Sequence, residues 1–263
     1  MFTFETFEDK FTLAGLALVA WTLLWVIIRN FFITTKKITE KERMDLQNRI
    51  VSMTHGLIIL SMSAYIVFVE NPEYEDVSTK TQHYMLIISG AYFLYDLLAC
   101  IYYGLADLSL VLHHGLCILG IIVCEATDNG TTSTYGLFYA EASNAPMHLR
   151  CILRTLKMRY TKFYEFNELL YITVYIVARG FFSSIMAYRA LPNAAVPWFI
   201  RFCCFGIWLQ SGFFIKEMFV ILQKKKKQFI ERQKKGVSYE WFTESSSLEK
   251  LSYYRKEGRD KIF

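Results

Sequence analysis

A chain of 263 residues that is 54% hydrophobic and only 20% charged is too apolar for an ordinary soluble domain and reads as a multi-pass membrane protein. Its net charge of +5 sits in connections beside apolar stretches, where topology accounts for it, so nucleic-acid binding is set aside. No Gly-x-Ser-x-Gly elbow, glycine-rich phosphate loop or Cys-x-x-Cys pair occurs, which removes the common lipase, nucleotide and thiol-redox chemistries.

Seven windows approach or exceed the roughly 20 residues needed to cross the hydrocarbon layer at about 1.5 Å per residue. An acidic leader with Glu5, Glu8 and Asp9 lacks the Arg-rich character of a transit peptide, so the first window, Phe11–Phe32, serves as an uncleaved anchor. A basic connection (Lys36, Lys37, Lys41, Arg43, Arg49) leads to the second, Ile50–Val69. An acidic one (Glu70, Glu73, Glu75, Asp76) leads to the third, Tyr84–Tyr103, and the fourth is Leu105–Cys124. Asn129-Gly130-Thr131 then matches a glycosylation acceptor. The fifth window, Thr132–Leu153, is the most polar, and such a segment survives only when other helices surround it. Arg154, Lys157, Arg159 and Lys162 follow, then Leu169–Tyr188 and Val196–Leu222. The charge alternation puts the N-terminus outside and the C-terminus on the cytoplasmic or matrix side of an endoplasmic-reticulum-type or mitochondrial inner membrane.

The tail from Gln223 carries twelve Lys or Arg against six Asp or Glu. Lys224 to Lys227 read either as an attraction for anionic headgroups or as a solvated stop signal. Tyr239, Trp241, Phe242, Tyr253 and Tyr254 predict docking on something, for instance a membrane protein complex. All six cysteines lie in the apolar windows, so no disulfide framework is expected.

Asp96, His113, His114, Glu141, His148 and Arg179 stand inside the windows. A charge at the bilayer centre costs about 2.5–3.5 kcal/mol on insertion scales, so these groups are expected to face a protein interior or cavity. His113 and His114 point about 100° apart on a helix, one toward a cavity and one toward a neighbouring helix; this argues against a shared metal. They either tie helices together or touch a lipid headgroup or acyl carbonyl. Glu141, Asn144 and His148 share one helical face. Pro146 withholds an N–H from the Ala142 carbonyl and predicts a kink. Arg179 is expected to pair with Glu141, and Arg150 to reach the inner headgroup layer.

Asn48-Arg49 followed by Val51-Ser52 and His55, Tyr95-Asp96, the histidine pair, and Glu141-x-Ser143-x-x-Pro146 with Arg150 occur in this order on successive windows. Together they resemble the TLC-domain membrane proteins, a family that includes ceramide synthases and groups that bind or adjust membrane lipids. The resemblance implies an all-α fold in which spans two to seven form a membrane barrel around an acyl-chain cavity, with span one outside it. It divides the chain into an anchor (1–40), a TLC domain (41–222) and a basic tail (223–263). Where the ceramide synthases carry His-Asp-x-Ser-Asp, this chain has Ala140-Glu141-Ala142-Ser143-Asn144, so the acidic partners of the histidines are depleted.

Three functions follow as expectations. The first is a non-catalytic protein that binds or senses phospholipid or sphingolipid and affects lipid homeostasis, using Asp96, His113, His114, Glu141 and Asn144, with Pro146 and Arg179 structural. The second is an accessory or scaffold subunit of a large membrane complex such as a mitochondrial respiratory complex. The third is an acyl-CoA-dependent N-acyltransferase using His113, His114 and Glu141. None calls for a metal or other cofactor.

Overall fold

The structure, a computed structural model, describes residues 7–32 and 38–254. Glu5 of the acidic leader, Lys36 and Lys37 of the first basic connection, and the tail beyond residue 254 lie outside the described residues. Eight helices follow in order: α1 (Phe7–Phe31), α2 (Glu40–Tyr65), α3 (Lys80–Tyr102), α4 (Leu108–Thr127), α5 (Thr131–Thr155), α6 (Lys162–Tyr175), α7 (Ser183–Ala190) and α8 (Trp198–Lys235). A π-helical segment, Ile66–Glu70, extends α2, and another, Ile176–Phe182, joins α6 to α7 in one rod. No strand occurs among the described residues. Six of these rods are long and apolar enough to cross a membrane.

The helix starts are written in the sequence. Thr39 and Thr79 each build a reciprocal box with the side chain three residues on, Glu42 and Gln82 respectively, which satisfies two otherwise orphaned N–H groups. Asp107 accepts from Leu110 N at 2.8 Å to open α4, and Thr161 accepts from Tyr164 N at 3.2 Å to open α6. Asp128 ends α4 in the left-handed region at φ 54°.

α5, at 25 residues, is as long as a span but is not among the six apolar ones. It contacts α2, α3, α4, α6, α7 and α8, the surrounding that its polar residues require. α1 packs on α2 and α3 at the edge of the bundle and, among its described side chains, buries only Ala17 and Trp21. Trp21 Nε1 donates to the Ile88 carbonyl at 3.1 Å. At the same end as Glu125, Lys10 Nζ lies 2.7 Å from that carboxylate, and His83 bridges Glu125 and Asp128 at 2.8 and 3.0 Å. The main core joins Val51, Ile59, Met85, Leu86, Ile121, Ala187 and Ile200 from five helices.

Two expectations are corrected here, the sequon and the end of the last helix. Asn129 is buried and donates Nδ2 to the Tyr74 carbonyl at 3.1 Å and to Ala195 O at 3.4 Å; the sequon ties loops together instead of presenting an acceptor. The last helix does not stop near Leu222 but runs 38 residues, through the Lys224–Lys227 run, to Lys235. The tail docks on its own chain. Gly236, at φ 63°, ends α8 and reverses the chain. Val237, Tyr239, Leu248 and Leu251 then close a second small core on Tyr160 of the α5–α6 connection. Lys162 N donates to Glu240 O at 2.8 Å, and Arg232 Nη2 grips both carboxylate oxygens of Glu165 at 2.7 and 3.0 Å.

Candidate functional site

Three polar clusters are buried in the bundle. The first is centred on Asp96 of α3, which is 3% exposed. Asn48 of α2 donates Nδ2 to Asp96 Oδ1 at 2.6 Å and accepts from Tyr95 OH at 3.0 Å. His114 Nδ1 lies 3.3 Å from Asp96 Oδ2, within ion-pair distance but too poorly aligned for a hydrogen bond. His55, about two turns along α2 from Asn48, stacks on Tyr92 at 3.7 Å between centroids and shares a hydrogen bond with Ser89 Oγ at 3.1 Å. It is a packed core histidine.

The histidine pair divides as adjacent helical residues must. His114 is buried against Asp96, whereas His113 is exposed, with Cys117 Sγ, one turn along α4, at 3.9 Å from its Nε2. Their ring centroids are 5.5 Å apart. Only one of the two is therefore open to a ligand.

The second cluster lies on α5. Glu141 is 2% exposed and accepts from Asn144 Nδ2 at 2.9 Å. α2 comes so close here that a Cβ on Gly56 would stand 2.8 Å from Glu141 Oε2. The direct Arg179 to Glu141 pair expected from depth alone is not formed. Arg179 instead donates to Ser143 Oγ at 3.1 Å, to the Ala140 carbonyl at 3.0 Å and to Asn144 Oδ1 at 2.9 Å. The Asn144 amide stands between the charges, its oxygen facing the guanidinium and its nitrogen the carboxylate. An amide can do this because it offers both an acceptor and a donor. α5 continues through Pro146, whose carbonyl accepts from Asn167 Nδ2 at 2.9 Å. On the same face His148 has a buried Nδ1 with no partner.

Arg150 turns to a carboxylate of the bundle. It donates Nε to Glu168 Oε1 at 2.8 Å, and Tyr164 OH and Lys225 Nζ converge on the same carboxylate at 3.0 and 2.5 Å. This third cluster was not foreseen because Glu168 stands just before an apolar window and reads as an interfacial residue. No group of three or more metal-ligating side chains occurs among the described residues.

An all-α bundle in which six rods are long and apolar enough to cross a membrane defines a class: integral membrane proteins. The family model of the TLC domain matches residues 45–207, well over half of the chain, and the protein belongs to that family. The match takes in Asp96, His113, His114, Glu141 and Arg179, and leaves out α1 and the tail.

Proposed function

We propose that this TLC-family protein is a non-catalytic binder of membrane phospholipid or sphingolipid that adjusts the lipid composition of its membrane. The observation that carries the reading is the separation of the groups acyl transfer would need together. A base that takes a proton from an attacking amine must reach the substrate and be oriented by a partner. His113 is open but has no carboxylate partner among the described residues, whereas His114 has Asp96 and is buried. Glu141 is enclosed behind Gly56 and Asn144. In this arrangement His113 meets the lipid, and Asp96, His114 and Asn48 form its rigid backing.

The scaffold alternative is kept as an outcome of the test below: Tyr239 and Tyr253 bond to each other within the chain, whereas Trp241 and Phe242 are exposed. The grouping of ends supports the proposed orientation: the tail packs on the basic connection around Lys162, whereas Arg189 and Asn193 reach the acidic residues Glu73 and Glu75.

Mild detergent extraction, native sizing and mass spectrometry of retained lipid test the proposal together with an assay of acyl-CoA and a long-chain base. The expected result is a small particle with a stoichiometric lipid and no turnover. Turnover that disappears in a His113→Ala, His114→Ala variant would reverse it in favour of an N-acyltransferase, and migration only within a large assembly would favour the scaffold.

A further inference from the structure

Arg179 also borders a cavity of about 200 Å³ between the π-helical segment and α8, lined by Gly180, Ser184, Trp208, Gly212 and Ile215 among others. The two rods touch at Gly180, where a Cβ would meet Ile215 Cδ1 at 2.9 Å, and part at Gly212, where a Cβ would meet nothing within 4 Å. Trp208 satisfies its own Nε1 on Ser184 Oγ at 2.9 Å. The rim is apolar and faces outward: Trp208 and Leu209 are both exposed. π-helical turns of this kind recur where a helix is deformed to serve a site.

The guanidinium supplies the polar end. All three of its hydrogen-bond partners, Ser143, Ala140 and Asn144, are neutral, and no ion pair is formed to it among the described residues. Nη1 makes no hydrogen bond, yet it is not among the sealed, unpartnered atoms of the interior. A cation in a membrane span that meets only neutral partners, the Tyr175 ring at 5.2 Å included, and has both N–H groups of Nη1 unused favours an anion. Depth selects which anion. Arg179 lies about 16 Å along its rod from Ala190 and about 25 Å from Lys162, well inside a hydrocarbon layer about 30 Å thick. A phosphate ester, too strong an acid to cross in a neutral form, would have to carry its charge to that depth. A carboxylic acid crosses as the neutral form and ionises where it meets the cation.

We propose that this notch binds the carboxylate of a single-chain fatty acid entering from the bilayer, with Arg179 Nη1 receiving the carboxylate and the chain lying along the Trp208 and Ile215 side of α8. The site goes beyond the lipid-binding reading, which concerns His113 and its Asp96 backing, and shares with it only the bilayer as the source of ligand.

The test uses the full chain in phosphatidylcholine nanodiscs, with labelled palmitate as probe and its methyl ester and a lysophosphatidate of equal chain length as comparisons. Saturable palmitate binding is expected, with the methyl ester weaker by roughly ten- to a hundredfold, the worth of a charge-assisted hydrogen bond, and the lysophosphatidate weaker than palmitate because its phosphate must carry charge to that depth. Gly212→Leu fills the notch without touching the guanidinium network and should weaken palmitate by a similar factor, as should Arg179→Gln. Gly206→Leu, also open but outside the lining, should bind as the wild type does. Methyl ester or lysophosphatidate binding as tightly as palmitate, or wild-type affinity in Gly212→Leu, would overturn the assignment. Retained phospholipid measured on the same preparations keeps this outcome separate from failure of the lipid-binding reading.

Discussion

Asn144 carries more of the interior than its size suggests, because one planar amide answers a buried cation on one side and a buried carboxylate on the other. Asn144→Ala leaves Glu141 without its donor and Arg179 with one acceptor fewer, and is expected to cost about 2–3 kcal/mol. Arg179→Ala should cost a comparable amount by stripping Asn144 and Ser143 of a donor. The double variant should fall short of the sum by about 1 kcal/mol or more, because both changes break the same contact; thermal melts in detergent measure all three, and strict additivity would sink the relay. Gly56→Ala tests the other wall of the same carboxylate. Its Cβ would stand 2.8 Å from Glu141 Oε2, so the change should destabilise by about 1–3 kcal/mol. Gly15→Ala, with nothing within 4 Å, should instead gain up to about 1 kcal/mol of helix propensity. Sequence reasoning brings Glu141 and Arg179 to one depth, since depth follows from residue count. Which side chain mediates between them depends on rotamers that no count contains.

The joint between α5, α6 and α8 is an electrostatic clamp at the level of individual elements. Glu168 gathers Arg150, Tyr164 and Lys225 from three helices around one carboxylate that is 2% exposed. Removing the centre of such a cluster strands two cations at once, so Glu168→Ala should destabilise by about 3–5 kcal/mol. Lys226→Ala, one residue beyond Lys225 and exposed, should stay within about 0.5 kcal/mol. Equal melting temperatures for the two variants would refute the clamp. The caps at Thr39, Thr79 and Thr161 stand ahead of the apolar windows, because hydropathy marks the buried length of a span and not its polar first turn. The continuation of α8 through four lysines was not legible. A run of like charges reads as solvated, and here Glu165 and Glu168 of a distant segment supply counter-charges to Arg232 and Lys225.

Across the whole molecule, composition suffices for the class, because so apolar a chain has few soluble alternatives, whereas the return of the tail is a tertiary event that composition cannot hold. The tail forms a strap: with α8 extended past the bundle and reversed at Gly236, the Tyr239 ring reaches Tyr160 and sits 3.9 Å from the Arg232 guanidinium. Leu248 is 1% exposed in that small core, so Leu248→Ala should cost about 2–4 kcal/mol locally. Trypsin should then cut at Lys234, Lys235 and Lys250 faster while the melting of the spans is unchanged; an unaltered cutting rate would show that the strap is not held by this core. The same strap should respond to alkali. Burial, with the hydrogen bond to Tyr253, holds the Tyr239 phenol well above its usual range, and burial shifts Tyr253 the same way. A raised value in the folded state means the neutral phenol is the form the docked tail favours. Its contribution is therefore complete below the unfolded value of about 10 and declines as pH climbs beyond it toward the folded value. The difference between the tyrosinate absorbance titrations of the wild type and Tyr239→Phe isolates this phenol. Its midpoint should lie above that of a free tyrosine and fall back to it in Leu248→Ala, because opening the core returns the ring to water. A midpoint at the free value in the intact protein would mean that the tail is not docked.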